Sequence, residues 1–323
     1  MQEEKLRKFM KSKNKQDNTI ERYVTFVKKI DDYLKIEKKS LGIDKSYLKD
    51  LQAFLKQWED DKKKLFLLAM KSYGKATENH NLIANANRLL GRGTWLLRFE
   101  ETLDEYVGEE LQEKIIAAGG PIKQTSSTVK KAAWTKCMMD CLEANVDEKT
   151  CKKILTNNLH FKSPKSTSFK KLKRMYEKAG NIDVVLQHMH AKWKKIIGDR
   201  YGYNSPEYKY VEAEPSIEAG VREGNIVYVS KIPYQIKQFV EAKDDKTKRY
   251  HYCHCGWIRD SLKKPEEKQV SHTFCNCSGG WHKVPFEGIF EQTLEVDLVK
   301  SVLKGDDICT FALHLPKEVI NEK

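Results

Sequence analysis

Two Cys-x-Cys pairs, Cys253/Cys255 and Cys275/Cys277, carry the strongest chemical signal in this 323-residue chain. Thiolates are soft ligands, and four of them at ~2.3 Å suit a tetrahedral Zn²⁺. Alternate residues of an extended strand share a face. If 249–255 and 270–277 pair as neighbouring strands, Cys253, Cys255, Cys275 and Cys277 converge on one face, and the cofactor expected there is zinc. Four of the nine histidines, His251, His254, His272 and His282, fall in the same window. They allow a mixed Cys/His site. A reactive thiol cluster, with His282 or Glu287 handling protons, and a set of buried structural thiols are the other two readings. Cys137 and Cys141 stand at i, i+4 on a predicted helix and read as core thiols.

Eight cysteines form a disulfide framework only in an oxidising compartment. The N-terminal Met-Gln-Glu-Glu-Lys-Leu-Arg-Lys has no apolar stretch of the kind an export signal needs. The longest apolar run, Leu65 to Met70, is six residues, where a membrane span needs ~20. The expectation is a cytoplasmic protein with reduced thiols and no membrane contact.

The elements that must position these residues fall into two textures. From Asn18-Thr19 the chain reads helical, with Ile20, Tyr23, Val24, Val27, Ile30 and Leu34 at helical spacing. Further helices are predicted from Ser46, over Lys64–Tyr73, Asn81–Leu97 and Glu100–Ala118, and then over 129–145, 147–157, 169–180 and 184–197. After residue 200, β-type runs appear at 226–229, 249–255, 270–277, 294–302 and 308–315, with a helix over 280–290 that starts near Pro285. The expected fold class is α+β: a helical N-terminal region, then a C-terminal domain with a mainly antiparallel sheet and packed helices. The expected domains are 1–122 (basic, helical), 123–200 (helical, packing on the C-terminal part) and 201–323 (α+β, holding ligand and metal).

Net charge is +13 and uneven: residues 1–200 carry +15 and residues 201–323 carry −2. Basic helices attract polyanions. The candidate DNA contacts are Lys11, Lys13, Lys15 and Arg22, with Lys170, Lys171, Lys173 and Arg174 as a second patch. Lys162, Lys165 and Phe161 extend that second patch. A solvated charged face is the competing reading.

The stretch Cys275-x-Cys277-Ser-Gly-Gly-Trp281, Phe286-Glu287-Gly288, Leu294-Glu-Val296 and Ser301-Val-Leu-x-Gly305-Asp-x-x-Cys309-x-Phe311 resembles the 4-vinyl reductase type of small-molecule-binding domain. It is also similar to a bacterial branch near L-2-amino-thiazoline-4-carboxylic acid hydrolase. The resemblance implies an α+β domain around an apolar ligand pocket, with ligand contacts at Trp257, Gly279, Gly280, Trp281, Cys309 and Phe311. Ser301 stands where many relatives carry a cysteine, which moves the metal expectation away from Cys309. Residues 152–164 lack the cysteines of the hydrolase-like branch. Asn18-Thr19-Ile20-x-x-Tyr23 with Leu48–Phe54 is similar to the helical core-binding domain of tyrosine recombinases, which implies DNA binding. Recombinase chemistry is rejected, because no His-x-x-Arg follows. The functional expectation is a small-molecule-binding or sensor protein, with a homodimer among its expected assemblies. The alternative is a hydrolase of a small heterocyclic or amide-like substrate.

Overall fold

Amphipathic spacing decides the first body. In the computed structural model, which describes residues 1–36, 51, 53–56, 58–89, 94–157, 159–160, 164, 166–317 and 319, the stripe Ile20, Val24, Val27 and Ile30 is buried along α2 (Asp17–Ile36). It packs with Leu6 and Met10 of α1 (Glu3–Ser12), Phe66 and Met70 of α3 (Asp60–Ala76) and Leu82 of α4 (His80–Leu89). The Ser46 helix start, Leu48, Gly91–Gly93, Phe161, Lys162 and Lys165 lie outside the described residues.

Contacts divide the chain into two units: Met1–Leu97 with Lys123–Thr125, and Arg98–Ile122 with Ser126–Lys323. Residues 98–122 thus group with the C-terminal body rather than with the first 97. The predicted helix over 100–118 is broken by Gly108, whose φ of 79° is open to glycine, into α5 (Thr94–Val107) and α6 (Glu109–Ala117). The end of α6 packs on α7 (Thr128–Asn145), where Lys114 Nζ donates to Asn145 Oδ1 at 3.1 Å. Three predicted helices follow closely as α8 (Glu148–Thr156), α9 (Thr167–Ala179) and α10 (Ile182–Tyr201). Ser127, Asp147 and Asn181 cap α7, α8 and α10 through their side chains.

The C-terminal part is α+β. After α11 (Pro206–Ala213) come β1 (Val221–Glu223) and β2 (Ile226–Ser230), then α12 (Ile236–Glu241) and α13 (Asp245–Tyr252). Next are α14 (Asn276–His282), α15 (Val284–Phe290), β3 (Val296–Lys300) and β4 (Thr310–His314). The four strands form an antiparallel sheet in the order β1-β2-β4-β3. Pro285 sits in the first turn of α15, where a missing N–H costs nothing.

Two expected strands are absent: 249–252 and 272–277 are helical, and 253–255 and 270–271 are irregular. Over 249–255, Asp244 accepts the Thr247 N–H at 2.8 Å and opens α13. Over 270–277, Ser271 accepts the Thr273 N–H at 3.3 Å and opens a 3-10 turn, His272–Cys275, that runs into α14. N-terminal capping outweighs the aromatic, β-type composition of both segments. The two Cys-x-Cys pairs therefore do not lie on paired strands. Among the described residues no helix is long and apolar enough to cross a membrane.

Candidate functional site

The site forms where β2 and β4 end. Ser230 pairs with Thr310, and their hydroxyls meet at 3.0 Å in the interior. One residue beyond, the Lys231 N–H donates to the Cys309 carbonyl at 3.3 Å. Tyr252, fully buried at the end of α13, donates its hydroxyl to the Lys231 carbonyl at 2.7 Å and to the Cys309 carbonyl at 3.3 Å. This clasp brings the residue after Tyr252, Cys253, to the same end of the sheet.

Polar groups near these sulfurs favour their ionised form: the Cys255 N–H for Cys253, and the Trp257 and Ile258 N–H groups for Cys255. The buried Ser301 donates its hydroxyl to Cys275 Sγ at 3.2 Å. Ser301 and the Val302 N–H also serve Cys309. The ammonium of Lys231 lies in the field of Cys309, Cys253, Cys255 and Cys275, and Nζ donates to Ser278 Oγ at 3.3 Å.

Burial governs the electrostatics. It pushes the Cys253 thiol up to about 12 and Cys275 well above the ordinary range. Burial also raises Cys255 and Cys309, against the pull of their donors and of Lys231. For Lys231, burial is the strongest influence and acts downward, and its affinity for a proton rises above the ordinary value only through negative charge on Cys309, Cys253, Cys255 and Cys275 as those thiols ionise. Burial, and then Lys231, pull His160 and His254 each down to about 4. Near neutral pH the thiols are therefore protonated and the two imidazoles uncharged around the Lys231 amine. Both histidines keep an exposed edge while Nε2 turns inward, His254 toward the Ile232 carbonyl and His160 toward Cys277 Sγ at 3.2 Å.

The expected quartet is thereby redrawn. Cys253, Cys255 and Cys275 are together, and the fourth member is Cys309. Cys277 is paired with His160 instead. Ser301, whose presence directs attention away from Cys309, donates to Cys275 and lies close enough to Cys309 to favour its ionised form. Among the described residues no group of three or more His, Cys, Asp or Glu side chains is arranged to hold a metal ion.

The other expected residues fall into place as follows. Trp281 stands edge-on to His160, with centroids 5.3 Å apart. The Trp257 ring instead packs on Trp134 at 5.6 Å, beneath Lys131. Gly279 and Gly280 are packing residues. A Cβ on Gly279 would come 3.2 Å from Phe311 and Val296, and one on Gly280 would come 2.7 Å from the Thr156 carbonyl oxygen. The pair lets α14 slot between the sheet and the end of α8. Phe311 is core, stacked on His282 at 5.2 Å. Glu287 is held in a clasp rather than poised for acid–base work. It pairs with Lys283 at 2.9 Å and accepts the Leu294 N–H at 3.2 Å, while Lys283 donates to the Leu294 carbonyl at 3.2 Å. His251 bonds Gln235 at 2.8 Å.

Cys151 is buried, but Cys137 is exposed, so the expected core role fails for Cys137. Lys11, Lys13, Lys15 and Arg22 lie on α1, α2 and the turn between them in the first unit. Lys170, Lys171, Lys173 and Arg174 lie on α9 in the second. Lys173 is drawn into ion pairs with Glu291 at 2.7 Å and Glu177 at 3.5 Å. A separate open cleft is lined by Lys246, Thr247, Tyr250, Leu262 and Lys263.

Sequence reasoning missed Lys231 and His160. Neither stands in a motif, and each reaches the site only through tertiary packing. Their one sequence cue is adjacency, since Lys231 closes a predicted strand and His160 follows a predicted helix.

A family model described as a family of unknown function, DUF6144, matches residues 238–320. That span contains all the cysteines of the site, with Ser278 and Ser301, and excludes Lys231 and His160. No curated protein and no solved structure matches the chain.

Proposed function

We propose that this chain is a small-molecule-binding or sensor protein whose ligand site is Lys231 with the wall formed by Cys253, Cys255, Cys275 and Cys309. The observation that carries the reading is a single lysine, Lys231, among four thiols, with Nζ bonded to Ser278 and two uncharged histidines at the rim. A protonated amine in surroundings of low polarity attracts an anion, and the polarisable thiols suit a soft or apolar remainder. The ligand class is a small carboxylate or another compact anion. If such a ligand occupies the site, millimolar additions from a panel of small carboxylates shield Cys253, Cys275 and Cys309 from N-ethylmaleimide. Equal labelling with and without every member of the panel counts against the proposal.

Zinc is the second reading, and the donors favour it. N–H and O–H groups aimed at ligand sulfurs support ionised thiolates, as the outer partners of a metal site do, and Lys231 would offset their charge. Cys253, Cys255, Cys275 and Cys309 would hold the ion once they close on it and lose their protons. Zinc bound by four thiolates supplies structural stabilisation. Elemental analysis with free-thiol counts decides this reading: one zinc per chain, with four thiols released by a chelator, supports it. No metal, with the thiols titrating at their full number, rejects it.

A basic surface on α1 and α2 supports polyanion binding by the first unit. Lys11, Lys13 and Arg22 are exposed there. DNA affinity that falls steeply with salt is the expected outcome, and absence of any shift at low salt removes this part.

A further inference from the structure

We propose that Cys277 and His160 form a nucleophilic centre for small electrophilic carboxylates, with Lys231 holding the carboxylate. Cys277 Sγ and His160 Nε2 are 3.2 Å apart, although 117 positions separate them in the chain. The contact follows from the docking of α14 on the end of α8, where Gly280 meets the Thr156 carbonyl. That docking fixes where residue 160 emerges. The Trp281 ring, crossing the imidazole at 80°, braces its plane. The thiol is buried and the histidine is exposed, so the pair opens to solvent on its histidine side. Lys231 Nζ bonds Ser278, the residue after the nucleophile, and lies within electrostatic reach of His160.

A thiol next to a neutral imidazole is the arrangement that activates sulfur for attack. In the step, the Cys277 proton passes to His160 Nε2 as the sulfur forms a bond to the electrophilic carbon. The bond from that carbon to its leaving group breaks, and the leaving group departs with the electron pair. The carboxylate stays on Lys231 throughout. This centre is distinct from the four-thiol wall, and it rests on the proposed ligand role of Lys231 only for its substrate preference.

Iodoacetate and iodoacetamide test both halves, since they share one reactive carbon and differ in the carboxylate. The full chain is treated with each, and alkylated peptides are followed over time by mass spectrometry. Cys277, despite its burial, is expected to react faster than the exposed Cys137, and with iodoacetate ahead of iodoacetamide. His160→Asn, a change in a surface turn, is expected to slow Cys277 alkylation about 100-fold, with the fold checked by circular dichroism. Lys231→Met is expected to slow alkylation by iodoacetate more than alkylation by iodoacetamide, so that the preference for iodoacetate is lost. A Cys277 rate below that of Cys137, or an unchanged rate in His160→Asn, overturns the nucleophilic centre. A His160-dependent Cys277 that shows no preference for iodoacetate overturns the carboxylate assignment and the Lys231 reading, not the pair.

Discussion

Lys231 and Cys309 face each other one step beyond the Ser230–Thr310 end of the β2–β4 ladder, joined by a backbone hydrogen bond of 3.3 Å and clasped by the hydroxyl of Tyr252. This relationship turns the end of a sheet into a chemical site. It places an ammonium and a thiol side by side on a rigid frame, and it delivers Cys253 to the same point from α13.

The first prediction concerns that clasp. Tyr252→Phe keeps the buried ring and removes the donor shared by two carbonyls. A buried acceptor left short of its partner costs roughly 1–2 kcal/mol. Urea unfolding is expected to show a loss of that size, together with faster labelling of Cys253 and Cys309. Unchanged stability and unchanged labelling would show that the clasp does not hold the site.

A second prediction follows from the two rim histidines. Folded, His160 and His254 take up a proton only near 4, against an ordinary value of 6.5. Between those values the unfolded chain binds more protons, so acid favours unfolding. The stability contributed by the uncharged rings is complete above 6.5 and is lost as the pH falls toward 4. Denaturation midpoints are expected to drop across this window, and the drop is expected to shrink in His254→Gln. An identical pH profile in the variant contradicts the assignment.

Packing of α14 gives a third. Gly280→Ala forces a methyl to 2.7 Å from a backbone oxygen, whereas Gly279→Ala meets side chains at 3.2 Å that can shift. Overpacking of this kind costs about 1–3 kcal/mol. Gly280→Ala is expected at the upper end and Gly279→Ala at the lower. Because Gly280 sets the approach of α8, its substitution is also expected to slow Cys277 alkylation. The reverse order of stabilities would show that the sheet, not α8, limits the approach.

Much of the frame was legible in the residues themselves. Helical spacing found α2, whose buried stripe dictates it, helical runs marked α7, α8 and α10, and β-type runs marked β2, β3 and β4. The segments around the two Cys-x-Cys pairs misled. Tyr250, Tyr252 and Phe274 favour strands by composition, but the caps at Asp244 and Ser271 start helices there. The site was half legible. Cysteine spacing pointed to Cys253, Cys255 and Cys275, but spacing carries no information on which distant residue completes the group. Cys309 enters through the β2–β4 register, Lys231 through the same register, and His160 through the fit of Gly280 against α8.

The central claim is that Lys231 anchors an anion among the thiols. Isothermal titration calorimetry of the full chain against small carboxylates, mercaptoacetate among them, tests it most directly when wild type is compared with Lys231→Met and with Lys170→Met as a control. A hydrogen bond to a charged group contributes about 1.5–3 kcal/mol, equivalent to roughly a 10- to 150-fold change in affinity. The account predicts one site per chain, weakened by that factor in Lys231→Met and unaffected in Lys170→Met. Equal affinity in wild type and Lys231→Met, or no binding by wild type to any member of the panel, would contradict it.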